Sequence, residues 1–402
     1  MSDKVVLAYS GGLDTSVAVR WIKERYDLDV VAVAVDVGEE ADYAGILKKG
    51  LSVGAVEGSR VVDAKETFVT EYIWPALRAG ACYEGKYYLA TALARPLIAK
   101  IIVNVAQEVG ARAVAHGSTG KGNDQVRFDV TFAALDPDLR IVAPAREWGM
   151  TREEEIEYAE ARGIPVPVGK KSPYSIDVNL WGRSVECGPV EDPSREPPED
   201  AFAWTANPIV APDEPEVVEI EFFGGVPVAL NGRKLGPVEV VMEANRLAGK
   251  HGVGRVDMME NRLVGIKSRE VYECPGGMLL SAAHREMEAL TLDRDTAHLK
   301  TELAVRYSEL VYYGLWCSPL RTHLQAFADS TQTSVSGTVR MKLYKGSCFV
   351  VGRESEWSLY RPDLATYDKG DAYDPTIGRG FCKVWGLPTQ VARELERRLA
   401  KD

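Results

Sequence analysis

No stretch of the 402-residue chain approaches the roughly 18–20 uncharged apolar residues that a membrane-spanning helix needs. The opening Met1-Ser2-Asp3-Lys4 runs straight into Val5-Val6-Leu7-Ala8, without the basic, apolar and cleavable sections of a secretory signal. A soluble, cytoplasmic protein with no membrane partner is expected. Cysteine is sparse: Cys82, Cys187, Cys274, Cys317, Cys348 and Cys382 form no Cys-x-x-Cys pair, and the 5 histidines form no His-x-x-x-His. That excludes a zinc ribbon, a redox pair and a metal site built from protein nitrogen and sulfur. An excess of positive charge is missing as well. Lys plus Arg number 48 against 59 Asp plus Glu, a net charge of −11, so a phosphate-tracking face and a nucleic-acid partner are not expected. With 46% apolar residues, 36 Gly and 21 Pro, the chain is neither disordered nor collagen-like, and its length suits two or three domains.

What is present begins with an alternation. Continuous apolar runs at Val5–Tyr9, Val30–Val35, Arg60–Val62, Val114–Gly117 and Arg140–Ala143 read as strands. Helical patterns lie between them at Asp14–Tyr26, Ala41–Leu51, Glu66–Arg78 and Tyr87–Val109, the last with Pro96 inside it. Thr151-Arg152-Glu153-Glu154 is a capping box that opens one more helix. Apolar strands alternating with helices imply an α/β domain, a parallel sheet with helices on both faces. Beyond Ile164-Pro165-Val166-Pro167 the pattern changes. A Pro-rich irregular stretch to about Asp213 precedes hairpins turned by Gly224-Gly225 and Asn231-Gly232. Strands expected at Arg262–Ile266, Val335–Tyr344 and Ser347–Val351 are interleaved with helices, which makes an α+β second domain. A final helix is expected over Thr389–Ala400, with Val391, Leu395 and Leu399 on one stripe. The expected domains are 1–168, 169–386 and a C-terminal helical tail, 387–402.

Two loops carry chemistry. Ser10-Gly11-Gly12-Leu13-Asp14-Thr15-Ser16 lies between the first strand and the first helix, where free N–H groups and a positive dipole end suit an anion. It is no Walker loop, because no Lys precedes the Thr, and no dinucleotide fingerprint, because the third Gly is missing. A plain turn with Asp14 capping the helix is the alternative. The loop resembles the pyrophosphate loop of N-type ATP pyrophosphatases, which cleave ATP between its α- and β-phosphates. The second loop, His116-Gly117-Ser118-Thr119-Gly120-Lys121-Gly122-Asn123-Asp124-Gln125-Val126-Arg127-Phe128, gathers donors at a strand's C-terminal end, where α/β sheets place ligands. It closely resembles the signature of the argininosuccinate synthase family. Tyr83-Glu84-Gly85, Ala94-Arg95-Pro96-Leu97-Ile98, Ser172-Pro173-Tyr174-Ser175-Ile176-Asp177-x-Asn179, Ser184-x-Glu186, Glu260-Asn261-Arg262 and Tyr272-Glu273 extend that resemblance over nearly the whole chain.

The resemblance implies an adenine nucleotide alpha hydrolase-like first domain, a synthetase second domain and a homotetramer. It also implies an ATP-dependent ligase joining L-citrulline to L-aspartate through a citrullyl-adenylate, with magnesium bound through the phosphates. By residue, it implies that Ala8, Tyr9, Ser10, Gly11, Gly12, Leu13, Asp14, Thr15, Ser16, Val35 and Gly117 bind ATP. Thr119, Asn123 and Asp124 would hold aspartate. Tyr87, Asn123, Arg127, Ser175, Ser184, Glu260 and Tyr272 would hold citrulline, with Asp14, Asp124 and Arg127 closest to the chemistry and no metal held by protein ligands alone. Two departures stand out. Asp36-Val37-Gly38-Glu39-Glu40 is shorter than the family's usual segment, and Ala92 stands where a Ser is usual, beside Thr91.

Overall fold

The computed structural model describes residues 3–120, 122–166, 172–367 and 372–400. Lys121, the cation of the second loop, lies outside them, as does the expected boundary at 168. Five strands, β1 (Lys4–Ala8), β2 (Asp29–Asp36), β3 (Arg60–Asp63), β4 (Ala113–Ala115) and β5 (Arg140–Val142), form a parallel sheet in the order β3-β2-β1-β4-β5. Side chains alternate between its faces. Val5, Leu7, Val30 and Ala32 pack on one side with the helix Leu13–Tyr26; Val6, Val31, Val33 and Val114 pack on the other with Ala90–Val109. Both faces are covered, which is why the strands read as unbroken apolar runs. Strand order reverses between β1 and β4, so the two chemical loops emerge side by side at the sheet's C-terminal edge.

The chain then builds β6 (Ser175–Asn179), β7 (Gly182–Glu186), β8 (Glu216–Phe223), β9 (Val226–Leu230), β10 (Arg233–Lys234), β11 (Arg255–Asn261), β12 (Lys267–Glu273), β13 (Gly337–Tyr344) and β14 (Ser347–Glu354). They make two antiparallel sheets, β11-β12-β7-β6 and β10-β9-β8-β13-β14. Two expectations are corrected here. Arg262–Ile266 is the turn of the β11–β12 hairpin, closed by the Arg262 N–H on the Ile266 carbonyl at 2.9 Å, and the strands flank it. The stretch expected to be irregular contains the β6–β7 hairpin. Helix formation also begins later than the pattern over Tyr87–Val109 implied. Leu89 sits at φ +65 and the helix starts at Ala90.

Residues 1–357 form one compact unit and 358–402 another. In the second, the helix Pro375–Leu399 starts well before Thr389 and continues through Pro388. Asp374 caps it, accepting from the Thr376 N–H at 2.9 Å. Among the described residues no helix is long and apolar enough to cross a membrane.

Candidate active site

The helix after β1 has Gly12 as its N-terminal cap residue, and Gly11 before it sits at φ +75, a backbone conformation that glycine adopts without strain. Among the described residues no side chain caps this helix, so its first N–H groups are free for an anion. Asp14 is therefore not the cap. Its carboxylate pairs with Arg152, the first residue of the helix Arg152–Ala161, whose Thr151–Glu154 capping box is formed. Ser10 and Thr15 hydroxyls lie 3.1 Å apart. Ser16, expected to bind ATP, turns inward and donates to the Gly12 carbonyl at 2.7 Å, with the Tyr9 hydroxyl 3.1 Å away. The Gly11 carbonyl accepts from Lys49 Nζ at 2.8 Å. These bonds brace the loop.

The loop after β4 is pinned from below. The Ser118 N–H donates to His116 Nδ1 at 3.1 Å, so the ring proton sits on Nε2 and is donated to Asp129 Oδ1 at 2.8 Å. Gln125 Nε2 donates to the Gly120 carbonyl at 2.5 Å. A Cβ on Gly117 would come within 2.9 Å of Thr15 Cγ2, so the two loops touch where the residue lacks a side chain.

Two cavities open from that junction. The larger, about 600 Å³, is lined by Ala8, Tyr9, Ser10, Gly12, Leu13, Asp14, Thr15, Val35 and Gly117. Of the expected nucleotide residues, Gly11 and Ser16 alone stay behind its wall. The smaller, about 250 Å³, is lined by Tyr87, Thr119, Asn123, Asp124, Arg127, Ser184, Glu260 and Tyr272. Ser175, expected with them, faces the larger cavity instead. Gly117, Ser118, Asp124 and Asp177 line both, which makes them the shared wall.

The sheet β11-β12-β7-β6 floors the smaller cavity. Its register sets Glu260 opposite Ser268, Tyr272 opposite Ser184, Ser184 opposite Asp177 and Glu186 opposite Ser175. Alternate residues share a face, so Glu260, Glu270, Tyr272, Ser184, Glu186 and Asp177 come from four strands to one polar surface. Sequence reasoning assigned no role to Asp177, Glu186, Arg262 or Glu270, although Asp177, Glu186 and Arg262 lay inside quoted motifs. Thr91 lines the smaller cavity, whereas Ala92 is buried and its N–H approaches the Tyr87 hydroxyl at 3.4 Å. Of the two, Thr91 is the residue at the cavity.

Charge is tightly arranged. Asp124 accepts from Arg95 Nε at 2.8 Å and from Arg127 Nη1 at 2.9 Å. Burial alone would raise its carboxyl, but the two guanidiniums outweigh it and hold the group below the usual range. Arg127 is 3% exposed and its Nη2 has no partner among the described residues, an unsatisfied buried donor at the edge of a cavity. Glu260 accepts from the hydroxyls of Tyr272 and Tyr312. Tyr312 accepts in turn from Asn123 Nδ2 at 2.8 Å, so Tyr312 holds two expected substrate residues together without lining the cavity. Burial first and Glu186 second push the Glu270 carboxyl up to about 7, although Arg262 pairs with both glutamates. Among the described residues no cluster of His, Cys, Asp and Glu is arranged to hold a metal ion.

Residues 4–165 match the family model described as Arginosuccinate synthase N-terminal HUP domain, and residues 174–392 that of the Arginosuccinate synthase C-terminal domain. The chain is 59% identical over 389 residues to an argininosuccinate synthase of Oceanobacillus iheyensis, covering 97% of this chain and 93% of that one. It is 58% identical to the enzyme of Symbiobacterium thermophilum over 99% of both chains. A 4-thiouridine synthetase–RNA complex with bound ATP is similar to 40% of this chain and 41% of that one at 19% identity, with a TM-score of 0.30, too slight a likeness to bear on the site.

Proposed function

Because the chain belongs to the argininosuccinate synthase family, we propose that its two adjoining cavities serve the two successive steps of one condensation. The enzyme is a carbon–nitrogen ligase of arginine biosynthesis: it joins L-citrulline to L-aspartate using ATP and yields argininosuccinate, AMP and pyrophosphate. The observation that carries the site reading is the shared wall, Gly117, Ser118, Asp124 and Asp177, between a cavity lined by the phosphate loop and one lined by amino-acid-binding groups.

A ureido carbon is a poor electrophile, because two nitrogens feed it electrons and its oxygen leaves badly. In this reading ATP lies in the larger cavity with pyrophosphate on the uncapped helix end. Citrulline lies in the smaller one, its α-carboxylate on the unsatisfied Arg127 Nη2 and its α-ammonium on Glu260. The ureido oxygen then meets the α-phosphate across the shared wall, forming citrullyl-adenylate and releasing pyrophosphate. Aspartate, held by Thr119, Asn123 and Asp124, attacks the activated carbon through its amine, and AMP leaves with the former ureido oxygen. Positioning and electrostatics supply the acceleration without a covalent enzyme intermediate.

Magnesium belongs to this reading as a companion of ATP that neutralises phosphate charge. The hard carboxylate oxygens it prefers are present in the larger cavity, with Asp14 on the loop the one suited to take a position beside phosphate and water ligands. A cytoplasmic location and a homotetramer complete the proposal. The six free thiols suit a reducing compartment, and the exposed apolar stripe of the last helix suits a second copy of the chain.

The test is to supply ATP with citrulline alone, with aspartate alone and with both, following AMP, pyrophosphate and argininosuccinate. Citrulline carrying ¹⁸O on the ureido group should deliver the label to AMP. Unlabelled AMP would refute ureido adenylation.

A further inference from the structure

We propose that Arg95 stabilises the charge that develops on the α-phosphoryl group during adenylation, a role that rests on the reading of the larger cavity as the ATP site. Arg95 lies on the helix Ala90–Val109 and lines the larger cavity. Its guanidinium donates from Nε to Asp124 at 2.8 Å and from Nη2 to Asp177 at 2.5 Å. Those are the two carboxylates of the shared wall, and the side chain between them is only 17% exposed. The guanidinium therefore sits at the place where a nucleophile from one cavity must meet a phosphoryl group in the other.

The charge distribution points the same way. Among the described residues, the Arg and Lys side chains that line the larger cavity are Arg95 and Arg152. Arg152 is paired with Asp14 on the phosphate loop, at the pyrophosphate end. Arg127 is committed to the smaller cavity, with Nη1 on Asp124 and Nε on the Tyr312 carbonyl at 3.2 Å. That leaves Arg95 for the reacting phosphorus. Without it the wall would present Asp124 and Asp177 to an already anionic group, in a partly water-excluded site where charge interactions are strong. A guanidinium has five N–H donors in a fixed fork, so it can keep one carboxylate and turn another edge to a phosphoryl oxygen.

The step balances without a proton moving to or from Arg95. The ureido oxygen forms a bond to the α-phosphorus, the bond from that phosphorus to the α,β-bridging oxygen breaks, and pyrophosphate leaves with its electron pair. Arg95 stays protonated throughout and donates hydrogen bonds to a non-bridging α-oxygen. In the second step the released AMP carries the same group away.

The experiment measures pyrophosphate release in a single turnover with ATP and citrulline and no aspartate, in the wild-type enzyme, Arg95→Gln and Arg95→Lys. Each is run with ATP and with the two diastereomers of ATP bearing sulfur on a non-bridging α-oxygen. Arg95→Gln should slow adenylation by about 10²–10³, the range found when a single donor to a developing anion is removed, and Arg95→Lys should fall between. ATP affinity, read by equilibrium titration, should move far less than the rate. The wild-type preference between diastereomers should shrink in both variants, which a merely structural role would not produce. Wild-type rate in Arg95→Gln, or a slowed variant that keeps the full diastereomer preference, overturns the proposal. If Arg95→Gln does not fold, Arg95→Lys decides by the same criteria. A wild-type enzyme that releases no pyrophosphate with ATP and citrulline overturns the site reading itself, and is told apart from failure of Arg95 by that control.

Discussion

Asp124 stands between two guanidiniums, and an incoming aspartate ammonium would compete with them for its oxygens. Asp124→Asn should therefore spare the citrulline-dependent burst of pyrophosphate and cut argininosuccinate formation by roughly 10²–10³, the worth of a few kcal/mol at a buried charge. Quenched-flow measurement of both products checks this, and equal loss of burst and product would assign Asp124 to the first step. Glu270 offers a second test, in stability. Its carboxyl is pushed up to about 7, against an ordinary 4.5. Between those values the folded chain keeps a proton that the unfolded chain has lost, so stability present below about pH 4.5 is lost as pH rises through about 7. The loss amounts to at most roughly 3 kcal/mol. Thermal melts at pH 5 and pH 8 should show a smaller fall for Glu270→Gln than for the wild type. An equal fall would mean that another group titrates.

At the scale of elements, the parallel sheet was legible because burial on both faces leaves an unmistakable apolar run, as in Val5-Val6-Leu7, each fully buried. The β6–β7 hairpin and the hairpin turn at Arg262–Ile266 were not. The sheet they belong to turns one face to the two cavities, so Ser175, Asp177, Ser184 and Glu186 stand where a half-buried strand would normally show apolar residues. Function has replaced the pattern that betrays a strand. The junction of the two loops gives an element-scale prediction. Gly117→Ala would thrust a methyl at Thr15 Cγ2 and push the loops apart, raising the KM for ATP about tenfold or more. Adding Thr15→Ser removes that methyl, keeps the hydroxyl that meets Ser10, and should restore much of the loss. Failure of the double variant to recover would mean that the loops are not in contact in solution.

At the scale of the whole molecule, the unit 358–402 holds a helix with no buried residue, whose Ile377, Phe381, Val384, Trp385, Val391 and Leu395 are between 45% and 73% exposed. So long an apolar stripe is unlike the surface of a lone soluble chain. A chain ending at Trp357 should keep its fold and bind ATP, yet assemble into fewer subunits by light scattering. The helix starts at Pro375, whereas the stripe of Val391, Leu395 and Leu399 placed its start at Thr389, and Pro388 lies inside it. A proline inside a helix removes one hydrogen bond and strains its turn, and here that does not stop the helix.

The sequence by itself determined which residue types the loops after β1 and β4 carry and in what order, and local pattern is enough to show a parallel sheet. Tertiary structure alone decided which of those residues share a wall. Strand order brings Gly117 to Thr15, sheet register brings Glu260, Ser184 and Asp177 to one face, and packing turns Ser16 inward and places Thr91 at the cavity. The placing of Arg95 between Asp124 and Asp177 belongs to the same class. Spacing along a chain says which side chains are available. Only pairing between distant strands and helices brings a guanidinium and two carboxylates within 3 Å of one another.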